Sequence, residues 1–97
     1  MNRMLRIGTC SVCRTGNVGI RTPVSASHLV GMCDECDAVW LDKLLHDGPH
    51  FPKQPDLPCP RDGSSLRSHP AHWATVVEAE AFGWGDVILG ETPALGE

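Results

Sequence analysis

The chain has 97 residues, and its 8 Lys and Arg against 12 Asp and Glu give a formal net charge of −4. This acidic balance argues against non-specific nucleic-acid binding, which depends mainly on neutralising phosphates. No apolar run approaches the roughly 20 residues that a bilayer-crossing helix needs, so we expect no membrane span. A chain of this length with 41% apolar residues can bury only a small core, and such cores are often stabilised by a metal ion.

The N-terminal residues are basic but lack the apolar segment of a secretory signal. We therefore expect a cytoplasmic protein. In a reducing cytoplasm, closely spaced cysteines more often hold a metal ion than form disulfides.

The strongest motif is a pair of Cys-x-x-Cys sequences, Cys10/Cys13 and Cys33/Cys36, separated by nineteen residues. Two residues between cysteines allow a tight turn that points both sulfurs at one ion, and two such turns complete a tetrahedron of soft ligands. The pattern predicts one Zn²⁺ per chain. A mononuclear iron site shares this geometry, whereas two disulfides would require an exported protein and a thioredoxin-type centre would require a βαβ context.

Because cysteine fills all four positions, no coordination site is left for water, and the metal is expected to be structural rather than catalytic. Binding it would contribute on the order of 10 kcal/mol to folding at neutral pH.

Between and after the cysteines, residues 19–22 and 27–30 are predicted as two short strands of a hairpin. Leu41, Leu44 and Leu45 then fall on one face of a predicted two-turn helix, with Asp42 near its N-terminus and Gly48 after its last turn. Trp40 is expected to pack between this helix and the hairpin.

The segment from Cys33 to Asp42, with the upstream Cys10/Cys13 pair, resembles the bacterial zinc-ribbon family named after the zinc finger of transcription factor B. That family reads Cys-x-x-Cys, a hairpin, then Cys-x-x-Cys-Gly-Gly-x-Trp-Leu-Asp and a short helix. The resemblance covers about residues 10–47 and implies a β-hairpin with two zinc knuckles and four cysteine ligands. This chain has Asp37-Ala38 where the family prefers two glycines.

The second half begins with residues 51–58, where three prolines predict an extended linker. Residues 73–80 and 86–89 are then predicted as strands. The expected fold is therefore a small metal-stabilised α+β protein: a zinc ribbon with a short helix in residues 1–50, the linker 51–58, and a β-rich appendage in residues 59–97 that resembles a degenerate second ribbon.

The turn from Cys59 to Gly63 resembles a zinc knuckle in which Asp62 replaces the second cysteine. His69 and His72 follow it, so one interpretation is a second metal site formed by Cys59, Asp62, His69 and His72. The other is a decayed repeat, with a buried thiol and solvated histidines.

Three functions remain open. The first is a non-catalytic adaptor that binds protein partners, and the absence of a catalytic triad or phosphate-binding loop favours it over an enzyme. The second is a nucleic-acid-binding transcription regulator. The third is a thiol-based or metal-dependent catalyst that uses Cys59 with His69 or His72. The regulator would use one face of the ribbon lined by Arg3, Arg6, Arg14 and Arg21.

Overall fold

The computed structural model describes residues 3–94, which form one antiparallel sheet, a short helix and connecting turns. The strands are β1 (Arg3–Thr9), β2 (Asn17–Thr22), β3 (Val30–Cys33), β4 (Val39–Trp40), β5 (His72–Trp73) and β6 (Gly90–Pro93), and the helix α1 is Val76–Ala81. The strands lie in the order β4-β3-β2-β1-β6, and β5 pairs with the far end of β2. The prediction of a small α+β fold is therefore confirmed.

Strands β1 to β4 follow one another as antiparallel neighbours, so the β1–β2 and β3–β4 connections lie at the same end of the sheet. The register places Thr9 opposite Asn17 and Val18 opposite Cys33. The predicted strand at 19–22 is confirmed within β2, whereas the second strand of that hairpin begins at Val30 rather than at residue 27. This pairing brings the two Cys-x-x-Cys turns side by side.

Successive side chains of a strand point to opposite faces of the sheet, and both faces here are covered. One face packs against α1 and Trp84, and the other packs against residues 57–66. The first cluster includes Leu5, Ile7, Val18, Ile20, Cys33, Trp40 and Ala79, and the second includes Met4, Val30, Met32, Val39, Leu57, Cys59 and Leu66.

The C-terminal residues contribute two strands to this same sheet. In β5, Trp73 lies opposite Arg21 of β2, and β6 runs antiparallel to β1 along its outer edge. Arg21 is buried, donates from Nε to the carbonyl oxygen of Leu66 at 2.8 Å, and lies 4.8 Å from the ring centre of Trp73. Hydrogen bonds and packing thus connect the segment after the prolines with the N-terminal strands.

The helix predicted after Trp40 is wrong, because this segment forms a closed loop. The Asp42 carboxylate accepts hydrogen bonds from the amides of His46 and Asp47, both at 2.7 Å. Such side-chain capture competes with helical hydrogen bonds. Leu45 has a φ of 60°, which a right-handed helix excludes. Leu44 is exposed, so the three leucines do not share one packed face.

The strand predicted at 73–80 is also wrong beyond Trp73, because α1 begins at Val76. Thr75 and Glu78 form a reciprocal capping box: the Glu78 amide donates to Thr75 Oγ1 at 3.2 Å, and the Thr75 amide donates to Glu78 Oε1 at 2.9 Å. These bonds satisfy two amides that a helix start otherwise leaves unpaired. The capping box thereby outweighs the preference of Val76 and Val77 for strands.

Residues 86–89, predicted as a strand, contain instead the end of a short 3₁₀ turn, Gly85–Val87. Strand β6 begins only at Gly90. Residues 51–58 contain neither helix nor strand, although Leu57 is buried in the second cluster. Among residues 3–94, no helix has the length and apolar character required to cross a bilayer.

Candidate metal centre

The four cysteines of the two Cys-x-x-Cys turns converge at one end of the sheet. The Sγ atoms of Cys10 and Cys36 lie 3.6 Å apart and those of Cys13 and Cys33 lie 3.7 Å apart, and all four lie within 4.8 Å of one another. A disulfide would require about 2.05 Å, and all four thiols are free. Four sulfurs placed tetrahedrally at about 2.3 Å from one ion would be about 3.8 Å apart.

Backbone amides point at three of these sulfurs from within the two turns. Val12 donates to Cys10 at 3.4 Å, and Gly16 donates to Cys13 at the same distance. In the second turn, the amides of residues 35 and 36 donate to Cys33 Sγ at 3.4 and 3.5 Å. Hydrogen bonds of this kind stabilise thiolates and orient them toward a metal.

The two turns are also tied to each other. The amide of Asn17, just after the first turn, donates to the carboxylate of Asp34 in the second at 3.0 Å. The amide of Asp34 in turn donates to the carbonyl oxygen of Asn17 at 3.1 Å. The first turn is closed by the Cys10 amide, which donates to the carbonyl oxygen of Gly16 at 3.0 Å. These bonds hold the first cysteine turn beside the second.

Burial and hydrogen bonding act in opposite directions on the cysteine pKa values. Burial raises the pKa of the Cys33 thiol and that of Cys36. Backbone hydrogen bonds from Thr15 and Gly16 lower the pKa of Cys13 to about 6. Buried thiolates need a compensating positive charge, which a divalent metal ion supplies.

The residues present therefore fit a metal ion: four soft sulfur donors lie within 4.8 Å of one another, with backbone amides directed at three of them. Sulfur ligands in this arrangement suit zinc or iron. All four predicted ligands lie together, and they can hold a metal ion whose identity the arrangement does not specify.

Of the two interpretations of the second half, the site formed by Cys59, Asp62, His69 and His72 is wrong in its histidines. His72 Nδ1 donates to the carbonyl oxygen of Pro70 at 2.7 Å, and its Nε2 lies 2.9 Å from both carboxylate oxygens of Glu78. His69 is exposed and does not belong to the cluster. Cys59 and Asp62 do lie close together, but the histidine beside them is His28, whose Nε2 is 3.1 Å from Cys59 Sγ.

No sequence signal identified His28, because it lies 31 positions before Cys59 and outside any cysteine spacing. It becomes a neighbour of Cys59 only because the segment after the prolines folds back over β3. The capping box of α1, by contrast, is visible in the sequence as Thr-x-x-Glu at residues 75–78.

The four arginines predicted to line one face of the ribbon do not all lie on an exposed surface. Arg21 is only 2% exposed. The guanidinium of Arg3 forms an ion pair with Glu91 at 2.7 Å, and Arg6 donates to Asn17 Oδ1 at 2.9 Å. Arg21 is therefore not available to a nucleic-acid-binding surface.

Comparisons of the chain with protein-family models, with curated proteins and with solved structures found no match. The resemblance to the zinc-ribbon family therefore stays a prediction.

Proposed function

We propose that Cys10, Cys13, Cys33 and Cys36 hold one Zn²⁺ with a structural role, and that the chain is a zinc ribbon acting as a non-catalytic adaptor for protein partners. The observation that supports the metal is the spacing of the sulfurs, 3.6 and 3.7 Å against the roughly 3.8 Å of a tetrahedral tetrathiolate. The proposed ion would link the β1–β2 and β3–β4 connections.

A structural role follows from the donor set. Four sulfurs complete the coordination of zinc, so a bound ion has no position for water or substrate. The core is small, and metal binding on the order of 10 kcal/mol would be a large share of its stability.

The adaptor role is supported by exposed apolar side chains in α1 and at its end. Val76 and Val77 are 48% and 77% exposed, and Phe82 at the helix end is 42% exposed. We infer that these exposed apolar side chains contribute to a protein-binding surface. The burial of Arg21 and the pairing of Arg3 with Glu91 favour this role over nucleic-acid binding.

Metal replacement tests the metal site. Reduced protein reconstituted with Co²⁺ should show the intense thiolate charge-transfer and visible ligand-field bands of a tetrahedral tetrathiolate, and the zinc protein should be colourless. Cys33→Ser should lose these bands and the near-UV dichroism, whereas Cys59→Ser should keep the tetrathiolate bands. A reduced, metal-free chain that keeps its native fold, or red protein with iron bound as isolated, would contradict the proposal.

Partner capture with matched variants tests the adaptor role. A protein captured from lysate and identified should bind the zinc-loaded chain directly, and Val77→Asp should weaken that binding at least tenfold. Val24→Asp, a substitution in the connection between β2 and β3, serves as the control and should leave binding unchanged. The opposite result is salt-dependent binding of a DNA or RNA probe that is lost when Arg3, Arg6 and Arg14 become Ala, with no effect of Val77→Asp.

A further inference from the structure

A second group of metal-binding side chains lies apart from the four cysteines. It joins His28, in the connection between β2 and β3, with Cys59 and Asp62 in the turn that follows the prolines. One ligand atom from each of the three residues lies within 4.8 Å of the others. His28 Nε2 and Cys59 Sγ are 3.1 Å apart, within about half an ångström of the roughly 3.5 Å that a shared tetrahedral zinc would impose.

The turn that carries Cys59 resembles the turn that carries Cys10, although the hydrogen bond that closes it spans one residue fewer. The Cys59 amide donates to the carbonyl oxygen of Ser64 at 2.7 Å, and the Gly63 amide donates to the carbonyl oxygen of Cys59 at 2.7 Å. In the first turn the corresponding bonds are Cys10 to Gly16 at 3.0 Å and Arg14 to Cys10 at 3.1 Å. Asp62 therefore occupies the position of the second cysteine of a metal-binding turn.

Asp62 and His28, which lie beside the Cys59 thiol, both form hydrogen bonds with serine residues outside the cluster. The Asp62 carboxylate accepts from Ser25 Oγ at 2.7 Å on one oxygen, and from the Ser64 amide at 3.0 Å and hydroxyl at 2.9 Å on the other. His28 Nδ1 lies 3.1 Å from Ser27 Oγ, which leaves Nε2 directed at Cys59. In protein metal sites, hydrogen bonds of this kind orient the carboxylate and imidazole ligands.

A hydrogen-bonded catalytic triad is the alternative use of these three residues, and the geometry disfavours it. Cys59 is only 2% exposed, so a substrate cannot reach its sulfur without rearrangement. Asp62 Oδ2 is 3.8 Å from His28 Nδ1, too long for the hydrogen bond that would orient the imidazole. A small cation needs no such access when it is taken up during folding.

We propose that His28, Cys59 and Asp62 form a second zinc-binding site. One sulfur, one imidazole nitrogen and one carboxylate oxygen are a donor set that zinc accepts, and magnesium and calcium do not prefer. Three protein ligands leave a fourth position for water or for a side chain of a partner. Because only one ligand is a thiolate, this site binds more weakly than the four-cysteine site. It does not depend on the structural role proposed for the latter.

The test is a stoichiometric titration of the full chain, reduced and metal-free, with Co²⁺ and with Zn²⁺. The expected result is two metal ions per chain, with the second equivalent of Co²⁺ adding a charge-transfer band of about one-quarter the intensity of the first because one thiolate replaces four. His28→Gln and Asp62→Asn should each weaken the second equivalent at least tenfold and leave the first unchanged.

Two controls keep the result specific. His69→Gln and His72→Gln should retain both metal ions, since neither histidine belongs to the cluster. Cys59→Ser removes a proposed ligand and should lose the second equivalent, while persistence of the tetrathiolate bands shows that the chain with this buried substitution is folded. A wild-type chain that binds one metal ion under zinc excess, or a second equivalent that survives both His28→Gln and Asp62→Asn, would overturn the second site without affecting the first.

Discussion

Gly16 lies so close to Cys33 that a Cβ atom added to the glycine would be 2.6 Å from the cysteine Sγ. The same Cβ would lie 3.1 Å from the Asp34 carboxylate. A glycine is therefore required where the two cysteine turns meet, for space rather than for an unusual backbone angle.

From this contact we predict that Gly16→Ala weakens zinc binding at least tenfold, because the added methyl group displaces a ligand sulfur. Overpacking of this kind costs about 1–3 kcal/mol. Competition with a chromophoric chelator measures the affinity. Gly8→Ala is the matched control, since its Cβ meets only Leu45 Cδ1 at 3.4 Å, an ordinary contact. Equal affinities for both variants would contradict the prediction.

The buried guanidinium of Arg21 gives a second prediction. Arg21→Ala removes a hydrogen bond to the Leu66 carbonyl oxygen and the stacking on Trp73, so we expect a loss of about 3 kcal/mol in the free energy of unfolding. Urea denaturation of the zinc-loaded chain measures it. Arg67→Ala removes only an exposed ion pair with Asp37 and should cost less than about 1 kcal/mol. A similar loss in both variants would show that Arg21 is not a core contact.

Glu78 gives a third prediction, because it connects the start of α1 to two strands. Its carboxylate accepts from the Thr75 amide and from the hydroxyl of Thr22, and it pairs with His72. We expect Glu78→Ala to cost about 2 kcal/mol. Glu80→Ala, the same substitution at an exposed position of the same helix, should change stability by less than about 0.5 kcal/mol. Thermal unfolding followed by circular dichroism distinguishes the two, and equal midpoints would count against the role of Glu78.

The His72–Glu78 pair predicts a pH dependence. A hydrogen bond to the Pro70 carbonyl oxygen and the Glu78 carboxylate raise the pKa of His72 above 6.5. Stabilisation by the charged imidazole is therefore complete below pH 6.5 and is lost as the pH rises through the folded-state pKa. Although burial opposes it, hydrogen bonding to Thr75 and His72 lowers the pKa of Glu78 below 4.5, so its contribution is lost only at more acidic pH.

The measurement is the difference in unfolding free energy between wild type and His72→Gln at about pH 6 and about pH 8. Because the His72 side chain is 45% exposed, the difference should be below about 1 kcal/mol and should shrink at the higher pH. His69→Gln is the control for loss of a nearby imidazole. A difference that grows with pH would show that His72 is stabilised as the neutral form.

The cysteine spacing predicts which four sulfurs lie together, because a tight turn between paired cysteines is a local property. The helix after Trp40 was not predictable from its leucines. Asp42 captures the amides of His46 and Asp47, and this competes with helical hydrogen bonding in a way that periodicity does not detect. At Val76 and Val77 the pattern predicts a strand but the structure has a helix, because the capping box outweighs the strand preference of valine.

The sequence by itself determined that four cysteines lie in two tight turns whose sulfurs can hold a metal ion, and that the fold is a small α+β one, since both follow from short-range spacing and composition. Only the tertiary structure decided that His28, rather than His69 or His72, lies beside Cys59 and Asp62, and that Arg21 is buried under Trp73. These neighbours are joined across more than thirty residues by strand pairing and by packing on both faces of the sheet. Such contacts depend on which surfaces pack together and exclude water, and short-range sequence patterns do not predict them.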